Sequence, residues 1–208
     1  MRYQFVMNFG TWVRLATALV AAATLQAGLI DEVPDDSRDE LAAGQVVVKS
    51  RDVKSGPWPE LSLYQVVDAP PEVMKNLFLD YDSAPSYTPG MLAAKVVANN
   101  PDGTKDVQYT VKVPVLQKIS YTVRNRYSQK GRNFSVGWTL LQSPLAKSVD
   151  GSLRIEPYGN NKTLLCYTNL VVPITNLVAG LKNQALTEAK ATVRAIKEEG
   201  EKRAAAAD

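Results

Sequence analysis

The stretch VVDAPPEVMKNLFLDYDSAPSYTPGM, Val66–Met91, joins the end of a predicted strand to a short amphipathic helix and a second segment that proline residues interrupt. Asp68 is a candidate helix cap, and Pro70 and Pro71 suit the first turn because the amides there have no acceptor within a helix. The helix must end before Pro85, which cannot continue it. The stretch therefore predicts two short helices, or a helix and a turn, that pack against a sheet.

Period-two alternation of apolar and polar residues predicts strands on both sides of this stretch. Two strands precede it, in GQVVVKSRDV and ELSLYQVV, and the residues SGPWP between them form a turn. About six strands follow, in the segments MLAAKVVANN, DVQYTVKVPV, KISYTVRNRYSQ, RNFSVGWTLL, GSLRIEPYG and TLLCYTNLVVP. Short turns join these neighbours, which predicts antiparallel pairing.

The C-terminal part of the chain predicts one long helix that begins at Thr175 or Asn176 and ends in a charged tail. Its apolar residues recur at intervals of three and four. A curved antiparallel sheet has one face to bury, and a single long helix covers only the middle of that face, so the short helices would close one end. The prediction is an α+β fold: a curved antiparallel sheet wrapped around a long C-terminal helix, with two short helices after the first strands.

These elements predict one domain over residues 41–200. Residues 28–40 include the acidic segment DEVPDDSRDE, which lacks apolar periodicity and predicts a flexible lead-in. Residues 201–208 predict a disordered tail.

Residues 1–27 have the layout of a secretory signal peptide. They carry Arg2 and Arg14 and no acidic residue, and an apolar stretch from Leu15 to Leu25 ends in small residues. An uncleaved membrane anchor is the alternative. Export across the inner membrane predicts a periplasmic location, with an organelle lumen as the alternative. Without residues 1–27 the chain is nearly neutral, which predicts no nucleic-acid partner.

The chain of 208 residues contains no histidine. This count excludes Ser-His-Asp and Cys-His catalysis and histidine metal sites. The lone Cys166 cannot form an internal disulfide, and its apolar surroundings TLLCYTNLVV predict a buried side chain. The sequence also lacks a glycine-rich phosphate loop and a nucleophile elbow. We therefore assign no catalytic residue, no metal site and no cofactor.

The order of these elements resembles the START-like (SRPBCC) superfamily with the helix-grip fold, and within it the polyketide cyclase/dehydrase and coenzyme Q-binding COQ10-type branch. The resemblance rests on the opening stretch, on FSVGWTL (134–140), on GSLRIEP (151–157) and on the long helix after VVP (171–173). It covers roughly residues 41–200. The resemblance implies an apolar ligand held between the sheet and the terminal helix.

The alternation also predicts which side chains of the central strands point inward. These faces are apolar but carry tyrosine hydroxyls and one amide, which need hydrogen-bond partners when buried. Small residues of the long helix face them, so the space between is either a filled core or a cavity. The predicted ligand-binding residues are Tyr109, Tyr121, Asn125, Phe134, Trp138, Tyr81, Tyr87, Leu181 and Ala185.

The mouth of such a cavity is expected where the short helices meet the end of the long helix. The candidates for this position are Asp80, Tyr81, Asp82, Tyr87, the TPGM segment (88–91) and a predicted loop QSPLAKS (142–148). Arg154 and Glu156 share a face of their strand, and we expect a structural ion pair between them or with a neighbouring strand.

Three functions are compatible with these expectations. The first is an exported protein that binds or transfers a hydrophobic small molecule, such as a lipid, sterol or quinone-like compound, with transient membrane contact. The alternative is a polyketide cyclase/dehydratase-like enzyme in which Tyr109, Tyr121 or Asn125 orients or polarises a carbonyl. The third is a noncatalytic interaction module with a closed core. Neither the ligand nor the oligomeric state follows from the sequence.

Overall fold

The structure is a computed structural model that describes residues 28–113, 117–175 and 182–207, so the predicted signal peptide lies outside the described residues. The strands are β1 (Val47–Arg51), β2 (Glu60–Val67), β3 (Met91–Asn99), β4 (Lys105–Val113), β5 (Gln117–Lys130), β6 (Asn133–Gln142), β7 (Ala146–Tyr158) and β8 (Lys162–Pro173). The helices are α1 (Arg38–Ala42), α2 (Pro71–Leu79), α3 (Ala84–Tyr87) and α4 (Lys182–Ala205). Short 3-10 helices at Leu29–Glu32 and Asp35–Ser37 precede α1.

The eight strands form one antiparallel sheet in the order β1-β2-β8-β7-β6-β5-β4-β3. The strands from β3 to β8 follow one another as a meander, and β8 then pairs with β2. Tight hairpins hold the meander together: Gly131 turns the chain between β5 and β6 with a φ of 61°, a conformation that favours glycine. The predicted α+β architecture, with its curved sheet, two short helices and long C-terminal helix, is confirmed. The loop predicted over 142–148 is shorter than expected, because β7 begins at Ala146.

The main core lies on the concave face of the sheet, beneath α2 and α4. Side chains from both helices interlock with the central strands, and the cluster includes Leu63, Val67, Met74, Leu77, Phe134, Val136, Leu153, Ile155, Leu165, Val193 and Ile196. The two helices approach each other closely at Gly200, where the sulfur of Met74 occupies the space that a Cβ atom would need. A larger residue at position 200 would therefore displace the buried Met74 side chain.

The C-terminal end of the chain differs from the sequence expectation. The predicted disordered tail is wrong for residues 201–205, because α4 continues to Ala205. Arg203 explains the difference: its guanidinium donates to Asp80 at 2.9 Å and to Ser83 at 2.6 Å, which ties the end of α4 to the segment between α2 and α3. Asp68 does not cap α2. Its carboxylate pairs with Lys162 at 2.7 Å, and Pro70 occupies the cap position.

A second core lies on the convex face of the sheet. Residues 28–42 pack there and bury Leu29, Val33 and Leu41, each with at most 2% of its surface exposed. They cover apolar residues of β1, β2 and β8, namely Val47, Tyr64, Val66, Leu164 and Cys166. The prediction of a flexible lead-in over 28–40 is therefore wrong, whereas the predicted burial of Cys166 is confirmed.

Polar contacts fix this N-terminal segment to the sheet. Arg154 binds the Glu32 carboxylate with two hydrogen bonds of 2.6 Å, and Tyr64 donates to the same carboxylate at 3.1 Å. Hydrogen bonding from Arg154 holds the pKa of Glu32 below its usual range. The backbone amide of Leu29 donates to Glu156 at 2.9 Å. The ion pair of Arg154 is thus with Glu32 of the N-terminal segment and not with Glu156, and Arg154 also donates to Cys166 Sγ on the neighbouring strand β8 at 3.4 Å.

Candidate functional site

A cavity of about 290 Å³ lies between the concave face of the sheet, the α2–α3 region and α4. Its walls come from the six strands β3 to β8, from α2 and α3 and from the middle of α4. The lining residues are Phe78, Tyr81, Ala84, Tyr87, Thr88, Met91, Tyr109, Tyr121, Val123, Asn125, Val136, Trp138, Ser143, Val149, Tyr167, Asn169, Val171, Thr192 and Ile196. A smaller space of about 40 Å³ shares the wall residues Asn169 and Val171 and extends toward Trp58.

The structure brings most of the predicted ligand-binding residues together around this cavity. The predicted residues that line it are Tyr81, Tyr87, Tyr109, Tyr121, Asn125 and Trp138. Phe134 lies instead in the main core, because β6 is longer than the cavity and its first residues pack beneath α2. Ala185 lines the smaller space, and Leu181 lies outside the described residues.

Sequence reasoning missed one wall of the cavity, which β8 supplies. Tyr167, Asn169 and Val171 alternate along this strand and all line the cavity. The period-two rule would have found them if it had been applied to β8. In β8, however, both faces are apolar, so the sequence shows a continuous apolar run and no clear alternation. The face opposite the cavity carries Leu164 and Cys166, which are buried against the N-terminal segment.

A short chain of polar groups begins at Asn125, which is only 3% exposed. Its Nδ2 donates to the Tyr81 hydroxyl at 2.9 Å, and that hydroxyl also forms a hydrogen bond with the hydroxyl of Tyr127. The Oδ1 atom of Asn125 is buried and has no hydrogen-bond partner among the described residues, and the same holds for Oδ1 of Asn169. Both oxygens are enclosed by the surrounding side chains and are not exposed on the cavity surface.

Aromatic rings form much of the remaining surface. Trp138 packs against Tyr167 with ring centroids 5.4 Å apart, and Tyr109 packs against Tyr121 at 5.6 Å. The Trp138 ring lies directly over Gly151 of the neighbouring strand, in the space that any larger residue would take. The absence of a side chain at Gly151 leaves room for the indole, and the tilted ring pairs form an apolar surface.

The cavity is electrically neutral over the physiological pH range. Burial raises the pKa of Tyr87 and of Tyr167 to about 12, and it raises the pKa values of Tyr81, Tyr109 and Tyr121 still further. The lining residues in the described part of the chain include no acidic or basic side chain. The phenols can therefore donate or accept hydrogen bonds, but none of them is poised as a general base.

These raised pKa values predict a loss of stability at high pH. The neutral phenols contribute stability that is present in full below the unfolded-state pKa near 10 and is lost as the pH rises toward the folded-state values. We expect most of the tyrosinate absorbance to appear only when the protein unfolds, and urea midpoints to fall between about pH 9 and about pH 11. Full tyrosinate absorbance near pH 10 with the fold intact would contradict the burial of these hydroxyls.

The opening of the cavity includes some, but not all, of the residues predicted for it. Thr88 and Met91, at the two ends of the TPGM segment, line the cavity, as does Ser143 from the predicted loop. All three are only partly buried, so the cavity reaches the surface between the α3–β3 connection and the β6–β7 turn. Asp80 and Asp82 do not line it. Hydrogen bonding from Ser83 and from Arg203 holds the pKa of Asp80 below its usual range and engages this carboxylate in the attachment to α4.

The described residues contain no group of three or more side chains that could hold a metal ion. None of their helices is sufficiently long and apolar to cross a membrane.

Comparison with known proteins identifies the fold. No protein-family model and no curated protein sequence matches this chain. A STAR-related lipid transfer protein from Xanthomonas axonopodis superposes with a TM-score of 0.64 at 12% identity, over 74% of this chain and 93% of that one. The Zhui aromatase/cyclase from a Streptomyces species gives 0.61 at 19% identity, over 69% and 94%. The lipid transfer and protein localization domain of human StarD13 gives 0.59 at 16% identity, over 84% and 98%.

The chain thus has the START-like helix-grip fold, as the sequence resemblance predicted. Its assignment to the coenzyme Q-binding branch stays a prediction.

Proposed function

We propose that this protein binds a hydrophobic small molecule in the cavity beneath α4 and carries or presents it. The observation that supports this function best is the cavity itself: about 290 Å³, lined mainly by aromatic and aliphatic side chains and by no charged group among the described residues. Ligand pockets in proteins have this character, with volumes from about 300 Å³ upward and a few polar groups that orient the ligand. Apolar burial would supply most of the binding free energy.

Proteins with the same fold support this class of ligand. Lipid transfer is the described role of the Xanthomonas protein and of the human domain, and the Streptomyces protein is an aromatase/cyclase. A lipid, a sterol or a quinone-like compound is the proposed cargo. A cyclase/dehydratase-like activity is the alternative, favoured by the tyrosine and asparagine groups in the cavity. The raised pKa values of those tyrosines favour binding over proton abstraction.

The proposal includes transient contact with an anionic membrane at the end of the sheet where β4, β6 and β8 end. Large apolar side chains are exposed there, namely Leu92, Leu141 and Ile174. Exposed basic residues at the same end are Lys112, Lys118, Lys147 and Lys182. This combination of apolar and basic side chains suits a surface of anionic lipids. A periplasmic location is also part of the proposal and rests on residues 1–27.

Uptake from vesicles tests this function. The full chain without residues 1–27 is mixed with anionic or zwitterionic vesicles that contain a fluorescent sterol or a pyrene-labelled fatty acid. We expect uptake of one probe molecule per chain, faster from the anionic vesicles. Trp138→Ala should weaken uptake by about 10-fold or more, because it removes the indole ring that forms part of the cavity wall.

Val97→Ala, on the exposed part of β3, is the matched control and should leave uptake unchanged. Circular dichroism establishes that both variants fold. Equal uptake by wild type, Trp138→Ala and Val97→Ala would place any ligand site elsewhere. Equal rates of uptake from anionic and zwitterionic vesicles would contradict the proposed contact with an anionic membrane.

A further inference from the structure

The size of the cavity limits how much of a cargo it can enclose. Its volume is about 290 Å³. A dry protein cavity of about 150 Å³ holds one benzene molecule, which corresponds to roughly 25 Å³ for each non-hydrogen atom. At that density the cavity encloses about 12 non-hydrogen atoms. One alkyl chain or a two-ring frame has this size, whereas the fused rings of a sterol or the paired chains of a phospholipid exceed it.

A second, smaller space adjoins the cavity along β8. It measures about 40 Å³ and lies between β2, β8 and the first part of α4, where Ala185 and Ala189 form its wall. Asn169 and Val171 line both spaces, so their side chains form the wall between them. On the helix, Ala189 belongs to the smaller space and Thr192, about one turn further along, belongs to the cavity. The helix thus crosses the same boundary between positions 189 and 192.

Val171 supplies the apolar part of this wall. It pairs across the sheet with Val149, which also lines the cavity, and it is partly exposed. The other wall residue, Asn169, has a buried side-chain oxygen, so its replacement would change polarity as well as volume. The volume of the Val171 side chain can be changed with no change in the polar groups of the site.

We infer that the cavity encloses one apolar segment of about 12 non-hydrogen atoms, and that Val171 limits the length of this segment because it separates the cavity from the smaller space. This inference rests on the proposed function and narrows its ligand class. The favoured cargo has a single alkyl chain or a two-ring frame. Any further part of a larger cargo lies outside, at the opening beside Thr88, Met91 and Ser143.

Competition binding with saturated fatty acids of increasing chain length tests this inference. The protein of the uptake assay is loaded with the dye anilinonaphthalene sulfonate and titrated with acids from hexanoic to octadecanoic, each below its micelle concentration. We expect each added methylene to lower the Kd by about fourfold, because it moves from water into the cavity. The gain should stop at about 12 carbons, since further methylenes remain in water.

Two substitutions at position 171 should move this limit in opposite directions. Val171→Ala joins the smaller space to the cavity, and that space together with the removed carbons gives room for about three or four more atoms. The limit should therefore rise to about 15 or 16 carbons. Val171→Phe adds a ring to the wall and should lower the limit to about eight carbons.

Val172→Ala is the matched control, because it makes the same change at the next residue of β8. The Val172 side chain lies next to Gly56 and lines neither space. The chain-length limit of this variant should be that of wild type.

Each outcome bears on a separate statement. Binding of neither the dye nor any fatty acid contradicts the proposed function and the inference together. A dye that binds but is displaced by no fatty acid, or an affinity that rises steadily to octadecanoic acid, overturns the inference and leaves the cavity as a ligand site. A limit that stays at the wild-type length in both Val171 variants, or that shifts equally in Val172→Ala, overturns the assignment to Val171. If Val171→Phe does not fold, Val171→Ala and the wild-type series still decide.

Discussion

Leu41→Ala is expected to lower the free energy of unfolding by about 2–5 kcal/mol, although residue 41 stands at the end of an acidic segment that looks unstructured in the sequence. Leu41 is fully buried in the second core, on the convex face of the sheet, together with Leu29 and Val33. Truncation removes apolar contacts and leaves a space that the sheet beneath cannot close. For a chain of this size such a loss would lower the melting temperature by roughly 5–15 °C.

Glu40→Ala is the matched control, because Glu40 is the exposed neighbour of Leu41 in α1. Urea denaturation of the two variants, followed by circular dichroism, gives the comparison. A change of less than about 0.5 kcal/mol in both would mean that residues 28–42 contribute no more than an ordinary surface segment does. The N-terminal segment would then be a loose addition to the domain and not part of its core.

Thr192→Trp is expected to abolish ligand uptake, with a loss of about 100-fold or more. Thr192 projects from the middle of α4 into the cavity, so an indole at this position occupies the space where the ligand would lie. Because the cavity of about 290 Å³ has room for an indole, the free energy of unfolding should change by less than about 1 kcal/mol. A filled core would respond in the opposite way, with a loss of about 1–3 kcal/mol from overpacking.

Arg194→Trp adds the same side chain to the exposed face of α4 and serves as the control. Both variants are compared in the vesicle uptake assay and in urea denaturation. If Thr192→Trp is strongly destabilised and no variant or wild-type protein takes up a probe, the noncatalytic module with a closed core becomes the correct description.

The strands and their inward faces could be predicted because they depend on local alternation. Val107, Val123 and Val136 are buried on the concave side, as period two requires, and the Tyr109, Tyr121 and Asn125 side chains line the cavity on the same faces. The short helices could be predicted for a similar reason, since Pro71 and Pro85 restrict where each one begins.

The predictions that were wrong concern features that depend on contacts between distant parts of the chain. Leu29, Val33 and Leu41 have no helical or strand period, and their burial requires a sheet that is apolar on both faces. The length of α4 depends on Arg203 reaching Asp80, a contact between residues 123 positions apart. Phe134 was misplaced because the alternation of a strand identifies the buried face but not the part of that face that a helix fills.

Native mass spectrometry of the protein purified from the organism that makes it, combined with organic extraction, tests the central claim most directly. We expect an apolar molecule, bound in a ratio of one per chain and released by the solvent. Purified protein that carries no ligand, and that also binds no member of a panel of lipids, sterols and quinones, would contradict the claim that the cavity beneath α4 holds a hydrophobic cargo.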